Sequence, residues 1–138
     1  CVFRWSPVME IHVAAGVLVN ADGGVLIAQR LPGTHMAGRW EFPGGKLETG
    51  EGPRQGLDRE LREELGIDVQ DAEPLLKLSH RYADRHVHLD VWLVTEFRGE
   101  PQSLEGQALQ WVSPEQLHRI DLLEADAPII EALRDRLG

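Results

Sequence analysis

The segment that follows the Pro-Gly-Gly turn constrains the fold more than any other part of the chain, because it carries the signals of one amphipathic helix. Leu57, Leu61 and Leu65 recur every four residues, and this spacing places them on one helical face. Pro53 suits a first helical position, and Gly66 is a typical C-terminal stop. We therefore predict a helix that starts near Pro53, ends at Gly66 and packs its leucines against a sheet.

The same predicted helix carries a cluster of glutamates. Glu60, Glu63 and Glu64 lie three and four residues apart, so their carboxylates share one side of the helix. Like charges at this spacing disfavour a helix by about 0.2–0.5 kcal/mol per pair when nothing neutralises them. Oxygen ligands without a cysteine nearby suit a hard divalent cation such as Mg2+ or Mn2+. The residues alone leave two interpretations open, a solvated helical face or a metal site.

The rest of the chain alternates between strand and turn signals. Apolar, partly β-branched runs predict strands at 10–20, 25–31, 75–82, 86–99 and 109–112, and the Ala-Asp-Gly-Gly segment 21–24 predicts a hairpin between the first two. A Ser-Pro-Glu start at 113 and an amphipathic tail predict two more helical segments. We therefore predict one α+β domain over residues 10–138, an α/β/α sandwich with a mixed sheet, behind an N-terminal extension at 1–9.

Charge and composition exclude several classes of function. The chain has 14 basic and 23 acidic residues, a net charge of -9, which argues against a nucleic-acid polymer as partner because phosphate-backbone binding needs a basic face. A single nucleotide that arrives with its own metal stays compatible with this charge. No apolar run approaches the roughly 20 residues of a membrane span. Cys1 is the one cysteine, so an internal disulfide is excluded. We expect a cytoplasmic monomer or weak dimer without a membrane partner.

A wider pattern decides between the two interpretations of the glutamates. The pattern begins with Gly45 and, after five other residues, Glu51. After seven more residues it continues with Arg59, Glu60 and Leu61, then after one residue with Glu63 and Glu64, and after one more with Gly66 and Ile67. If each of the seven invariant residues occurs at about 7%, a chance match at one register is on the order of 10^-8. The chain therefore resembles a Nudix hydrolase, and within that superfamily the MutT branch, to which the segments HMAGRWEFPGGK, DRHVHL, FRGEP and EGQ are also similar.

The resemblance implies a Nudix fold with a catalytic loop and helix, and an enzyme that hydrolyses a nucleoside triphosphate to the monophosphate and pyrophosphate. It implies attack by water on the β-phosphorus, assisted by Mg2+ or Mn2+. The metal ligands would be Gly44 (through its carbonyl), Glu60, Glu63, Glu64 and Glu105. Arg59 would pair with Glu51 and position the helix, and either Glu60 or Glu105 would be the general base.

The resemblance also implies a set of nucleotide-binding residues. They are Arg30, His35, Glu41, Phe42, Pro43, Gly44, Lys46, Tyr82, Arg85 and Asp126. Phe42 and Tyr82 could instead be core residues. Asp126 departs from the asparagine of the best-known MutT-type enzymes, and an ionised carboxylate only accepts hydrogen bonds. We expect 8-oxo-dGTP as substrate, and CTP, dCTP or a 5-substituted dCTP as the alternative.

Two other functions and one side-chain cluster are alternatives to this interpretation. A non-catalytic Nudix-like binding module is disfavoured because the glutamates and the arginine of the pattern are all present. Hydrolysis of a dinucleoside polyphosphate or nucleotide sugar is an enzymatic alternative that short loops disfavour. His80, His86 and His88 suggest a metal cluster, but with no third partner evident for His86 and His88 we interpret them as surface or packing residues. Trp111 lies in an apolar run and is expected in the core.

Overall fold

The structure is a computed structural model, and it describes residues 9–34, 37–120 and 127–137. The elements are β1 (Met9–Leu18), β2 (Val25–Gln29), β3 (Trp40–Glu41), β4 (Gly44–Lys46), α1 (Pro53–Leu65), β5 (Asp68–Arg81), β6 (Arg85–Arg98), β7 (Leu109–Val112), a short 3-10 helix (Pro114–Arg119) and α2 (Ala127–Leu137). Among these described residues, no helix is long and apolar enough to cross a lipid bilayer.

The strands form two sheets. The larger sheet has the order β4-β1-β6-β5, and the smaller has the order β3-β2-β7. β1 runs parallel to β6, whereas its pairing with β4 and the pairing of β5 with β6 are antiparallel. The larger sheet is therefore mixed, which confirms the predicted α+β class.

Alternating residues of β1 separate the core into two layers, because successive side chains of a strand point to opposite faces of its sheet. Ala14 and Leu18 belong to the cluster that holds the α1 leucines. Ala15 and Val17 belong to a second cluster. The first cluster includes Ala14, Leu18, Leu57, Leu61 and Leu65, and the second includes Ala15, Val17 and, from α2, Ile129 and Leu133. The larger sheet thus lies between the two helices, as an α/β/α sandwich requires.

Helix α1 has the predicted limits and the predicted buried face. Leu57, Leu61 and Leu65 are each 0% exposed, and burial of each side chain contributes roughly 1.5–3 kcal/mol to folding. Gly66 ends the helix with φ 70°, a left-handed conformation that costs other residues more than glycine. The helix is therefore fixed against the sheet, and its other face is free to carry polar groups.

The prediction that β1 and β2 pair as the two strands of a hairpin is wrong. The described strands share one antiparallel bridge, between Val19 and Val25, and then enter different sheets. The turn itself is present, since the side chain of Asn20 accepts the backbone N–H of Gly24 at 2.7 Å. β1 pairs with β4 at residues 13–15 and with β6 on its other edge, whereas β2 pairs with β3 and β7. The predicted core position of Trp111 is also wrong, because this side chain is 37% exposed.

Candidate active site

Arg59, on the polar face of α1, connects the helix to the loop before it. Its Nε donates to Oε2 of Glu51 at 2.8 Å and its Nη2 donates to Oε1 of the same carboxylate at 3.0 Å. The Nη2 group also donates to the carbonyl of Lys46 at 2.9 Å. A bidentate pair of this kind is strong and fixes the guanidinium plane. The predicted contact of Arg59 with Glu51 is therefore present.

The other side of the same guanidinium faces the glutamate cluster. Nη1 of Arg59 donates to Oε1 of Glu60 at 3.0 Å and to Oε2 of Glu63 at 3.2 Å. Hydrogen bonding from Arg59 lowers the pKa of Glu51, and the surrounding carboxylates, Glu51 first, raise the pKa of Arg59. Arg59 thus stays cationic and holds three carboxylates at defined positions.

Glu60 lies against the Pro-Gly-Gly turn. A Cβ atom built on Gly45 would overlap the carboxylate of Glu60, so only glycine leaves room for this contact. Burial raises the pKa of Glu60, the hydrogen bond from Arg59 opposes that rise, and the charges of Glu63 and Glu105 add to it. The backbone of the turn and the carboxylate of Glu60 therefore form one compact, oxygen-rich wall.

Glu64 carries the largest electrostatic perturbation of the cluster. Its Oε2 accepts the backbone N–H of Gly44 at 3.1 Å. Burial raises the pKa of Glu64 to about 8, and the charges of Glu60, Glu105 and Glu41 contribute to the rise. Several carboxylates thus share a partly buried space with too little positive charge. This donor set fits a hard divalent cation, which would neutralise the excess charge.

Glu63 is placed differently from its two neighbours on the helix. Its side chain is 57% exposed and is held by Arg59. Within the described residues, Glu60, Glu63 and Glu64 do not bring three carboxylate oxygens within 4.8 Å of one another. Glu60 contacts Gly45 and Glu64 accepts the backbone N–H of Gly44, so these two helix carboxylates, rather than Glu63, lie against the glycine turn.

A cleft of about 130 Å³ opens beside Glu64. Five of the predicted site residues line it, namely Arg30, Glu41, Pro43, Glu64 and Glu105. Nη1 of Arg30 donates to Oε1 of Glu41 at 3.0 Å, and burial raises the pKa of Glu41 against the effect of that arginine. The structure thus brings Glu64 of the helix, the loop of Glu105 and this ion pair to one cleft.

Gln107 is a site residue that the sequence analysis missed. It is 7% exposed and lines the cleft. Its Oε1 accepts the hydroxyl of Ser103 at 3.0 Å and the N–H of Glu105 at 3.1 Å, and its Nε2 donates to the carbonyl of Glu64 at 3.5 Å. Gln107 therefore ties the loop that carries Glu105 to the end of α1. The Glu-Gly-Gln triplet, a part of the resemblance, was the available signal.

Several predicted nucleotide-binding residues lie away from the lining of this cleft. Phe42 is 4% exposed and belongs to the core cluster around α2. Lys46 lines a separate hollow that also borders Glu51. Tyr82 and Arg85 meet at the turn between β5 and β6, with the guanidinium carbon 5.6 Å from the ring centroid. His35 and Asp126 lie outside the described residues. The roles of all six stay predictions.

The sandwich fold and the glutamate helix behind a Gly-Gly turn together define a class of protein. A family model described as the NUDIX domain matches residues 14–132. The chain therefore belongs to the Nudix family. Nudix hydrolases generally use divalent cations, and the donor set around Glu60 and Glu64 is consistent with this property.

Three comparisons refine this assignment. The chain is 40% identical over 125 residues to the 8-oxo-dGTP diphosphatase of Escherichia coli K12. These residues cover 91% of this chain and 97% of that protein. It is 42% identical over 124 residues to the CTP pyrophosphohydrolase of the same organism, covering 90% and 92%. The solution structure of the E. coli ORF135 protein superposes with a TM-score of 0.84 at 42% identity, covering 94% of this chain and 92% of that one.

Proposed function

We propose that this protein hydrolyses a nucleoside triphosphate to the monophosphate and pyrophosphate in the presence of Mg2+ or Mn2+, and that 8-oxo-dGTP is its preferred substrate. The observation that carries the proposal is the placement of Glu60 and Glu64 against the Gly44–Gly45 backbone, with Glu64 lining a cleft. The reaction class is supported by the two E. coli relatives, whose names describe phosphoanhydride hydrolysis of nucleotides.

Each residue of the site has a distinct task in this proposal. Glu60, Glu64 and the carbonyl of Gly44 would hold the cation, and Glu105, in the loop between β6 and β7, would approach it. When bound, the cation neutralises phosphate charge and activates water. Glu60, or in second place Glu105, accepts the proton of the attacking water. Arg59, bound to Glu51, keeps Glu60 in place.

The base preference is the finer part of the proposal. The segments HMAGRWEFPGGK and DRHVHL favour the oxidised guanine nucleotide. A carboxylate at Asp126 instead favours a base edge that donates hydrogen bonds, such as the 4-amino group of cytosine. Similarity to a CTP pyrophosphohydrolase supports a cytosine nucleotide as the second candidate.

The experiment that tests both levels is a kcat/KM panel with 8-oxo-dGTP, dGTP, CTP, dCTP and a 5-substituted dCTP. Products are separated by ion-exchange chromatography, and the reaction is repeated in water enriched in oxygen-18. We expect pyrophosphate and a monophosphate, with the label in pyrophosphate, and the highest kcat/KM for 8-oxo-dGTP. If a cytosine nucleotide gave the highest kcat/KM, it would replace 8-oxo-dGTP as the proposed substrate, and the proposed reaction would stand. Orthophosphate as the product, or no turnover of any triphosphate, would refute the reaction itself.

A further inference from the structure

A second group of potential ligands lies where β1 and β6 begin. The two strands are parallel there, with Glu10 opposite His86 and His12 opposite His88. Residues two apart on a strand point to the same face, so the four side chains project from one face of the larger sheet. No residue of this group lines the cleft beside Glu64.

The side chains of three of these residues converge. Oε2 of Glu10 lies 3.2 Å from Nδ1 of His86, and Oε1 of Glu10 lies 3.2 Å from Nε2 of His88. One ligand atom from each residue fits within a common span of 4.8 Å. In a tetrahedral zinc site with bonds of about 2.0–2.1 Å, neighbouring ligand atoms are roughly 3.3 Å apart. Each histidine nitrogen therefore lies at about the length of a coordination edge from one of the two oxygens of the Glu10 carboxylate.

We propose that Glu10, His86 and His88 form a cation site for a borderline transition ion of the Zn2+ type, separate from the glutamate site on α1. Two imidazole nitrogens and one carboxylate suit zinc, whereas Mg2+ prefers oxygen ligands alone. The three donors are partly exposed, with 55% of the Glu10 side chain and 20% and 30% of the two histidine side chains accessible. An ion can therefore enter from solvent and keep a water molecule as its fourth ligand.

Neighbouring groups orient the donors. Nδ1 of His88 lies 3.2 Å from the hydroxyl oxygen of Ser79 on β5. When an ion replaces the proton between Nε2 and Glu10, Nδ1–H donates to this oxygen and Nε2 is the ligand atom. Support of this kind, behind a ligating histidine, is a regular feature of protein metal sites. The ring of His12 stacks on His88 with centroids 4.7 Å apart and limits its rotation. The site thus has one oriented histidine and a flexible carboxylate that can close on an ion.

The structure supplies the third partner that the sequence analysis did not find for His86 and His88. The partner, Glu10, comes from a different strand that the parallel pairing brings alongside. A bound ion would connect the beginnings of β1 and β6, next to the turn of Tyr82 and Arg85. It would therefore stabilise this end of the sheet, and it does not depend on the hydrolytic reaction.

The direct test is titration of the full chain with ZnCl2 in the presence of excess MgCl2, followed by the ring nitrogen resonances of the histidines in NMR spectra. We expect the resonances of His86 and His88 to shift in proportion to bound zinc and the unfolding temperature to rise. His88→Ala should weaken zinc binding at least about 100-fold, and Ser79→Ala, which keeps the three donors, by about 10-fold.

The matched control is His80→Ala, since His80 lies on the opposite face of β5 from Ser79 and packs against Tyr82. It should bind zinc like the unchanged protein. Histidine resonances that do not respond to zinc, or equal affinities of the unchanged protein and His88→Ala, would overturn the proposal and leave a hydrogen-bonded cluster of Glu10 with two histidines. The first readout uses the unchanged chain, so the test holds even if a variant folds poorly.

Discussion

Arg59 and Glu51 are joined by two nearly parallel hydrogen bonds of 2.8 and 3.0 Å, and the same guanidinium binds Glu60 at 3.0 Å. The loop before α1 and the first glutamate of the helix are thus held by one side chain. The position of Glu60 relative to the glycine turn therefore depends on the geometry of an arginine, not only on its charge.

Replacing this arginine by lysine tests that dependence. Arg59→Lys keeps the positive charge but loses the bidentate geometry, so we expect kcat for pyrophosphate release to fall at least about 10-fold with a smaller change in KM. The matched control is Arg54→Lys, which alters an exposed pair with Asp58 on the same helix and should retain activity. Equal kcat values for the two variants would show that Arg59 contributes only charge.

The raised pKa of Glu64 predicts a pH-dependent stability. The ordinary value is 4.5 and the folded value is about 8, so the folded state binds more protons between these limits and its stability falls as pH rises from about 4.5 to 8. We expect the unfolding temperature in EDTA to decrease over this window, and saturating Mg2+ to offset the decrease. Glu64→Gln should flatten the dependence in EDTA. If the unfolding temperatures of the unchanged protein and Glu64→Gln had the same slope against pH, the assignment of the raised pKa to Glu64 would be contradicted.

The close approach of Gly45 and Glu60 predicts a steric effect of a single methyl group. Gly45→Ala should displace the Glu60 carboxylate, because the added Cβ would overlap it, and we expect kcat to fall at least about 10-fold. The control is Gly52→Ala, where the nearest atom to the new Cβ is 3.5 Å away. Steady-state kinetics of both variants make the comparison, and unchanged turnover of Gly45→Ala would remove this glycine from the site.

Asp126 gives a prediction about the base. An asparagine amide both donates and accepts hydrogen bonds, whereas an ionised aspartate only accepts. We therefore expect Asp126→Asn to raise the ratio of kcat/KM for 8-oxo-dGTP to that for dCTP. The measurement is the same nucleotide panel, run with both proteins side by side. If the order of substrates stays the same, Asp126 does not read the base.

Local patterns predicted the glutamate helix well. The limits of α1 and the burial of Leu57, Leu61 and Leu65 follow from spacing and from terminal residues, because a helix is stabilised by contacts between residues close in the chain. The strand Leu109–Val112 was also predicted with its observed limits. The start of β5 at Asp68 was missed, since its first residues are polar and alternate poorly.

Non-local pairing explains what the sequence could not predict. Whether β2 pairs with β1 or with β3 and β7 depends on strands outside the hairpin segment, and no residue of that segment carries this information. The convergence of Glu10 with His86 depends on the parallel register of two distant strands. Gln107 was missed for a similar reason, because its contact with the carbonyl of Glu64 joins two residues that are 43 positions apart in the chain.

The most direct test of the central claim compares three single substitutions, Glu60→Gln, Glu63→Gln and Glu64→Gln, in pyrophosphate release from 8-oxo-dGTP as Mg2+ is titrated. Glu131→Gln, on an exposed position of α2, is the control. We predict that the substitutions at Glu60 and Glu64 lower kcat at least about 100-fold and raise the Mg2+ concentration needed, and that the more exposed Glu63 has a smaller effect. Unchanged Mg2+ dependence and near-normal kcat for Glu60→Gln and Glu64→Gln would contradict the claim that this pair holds the cation.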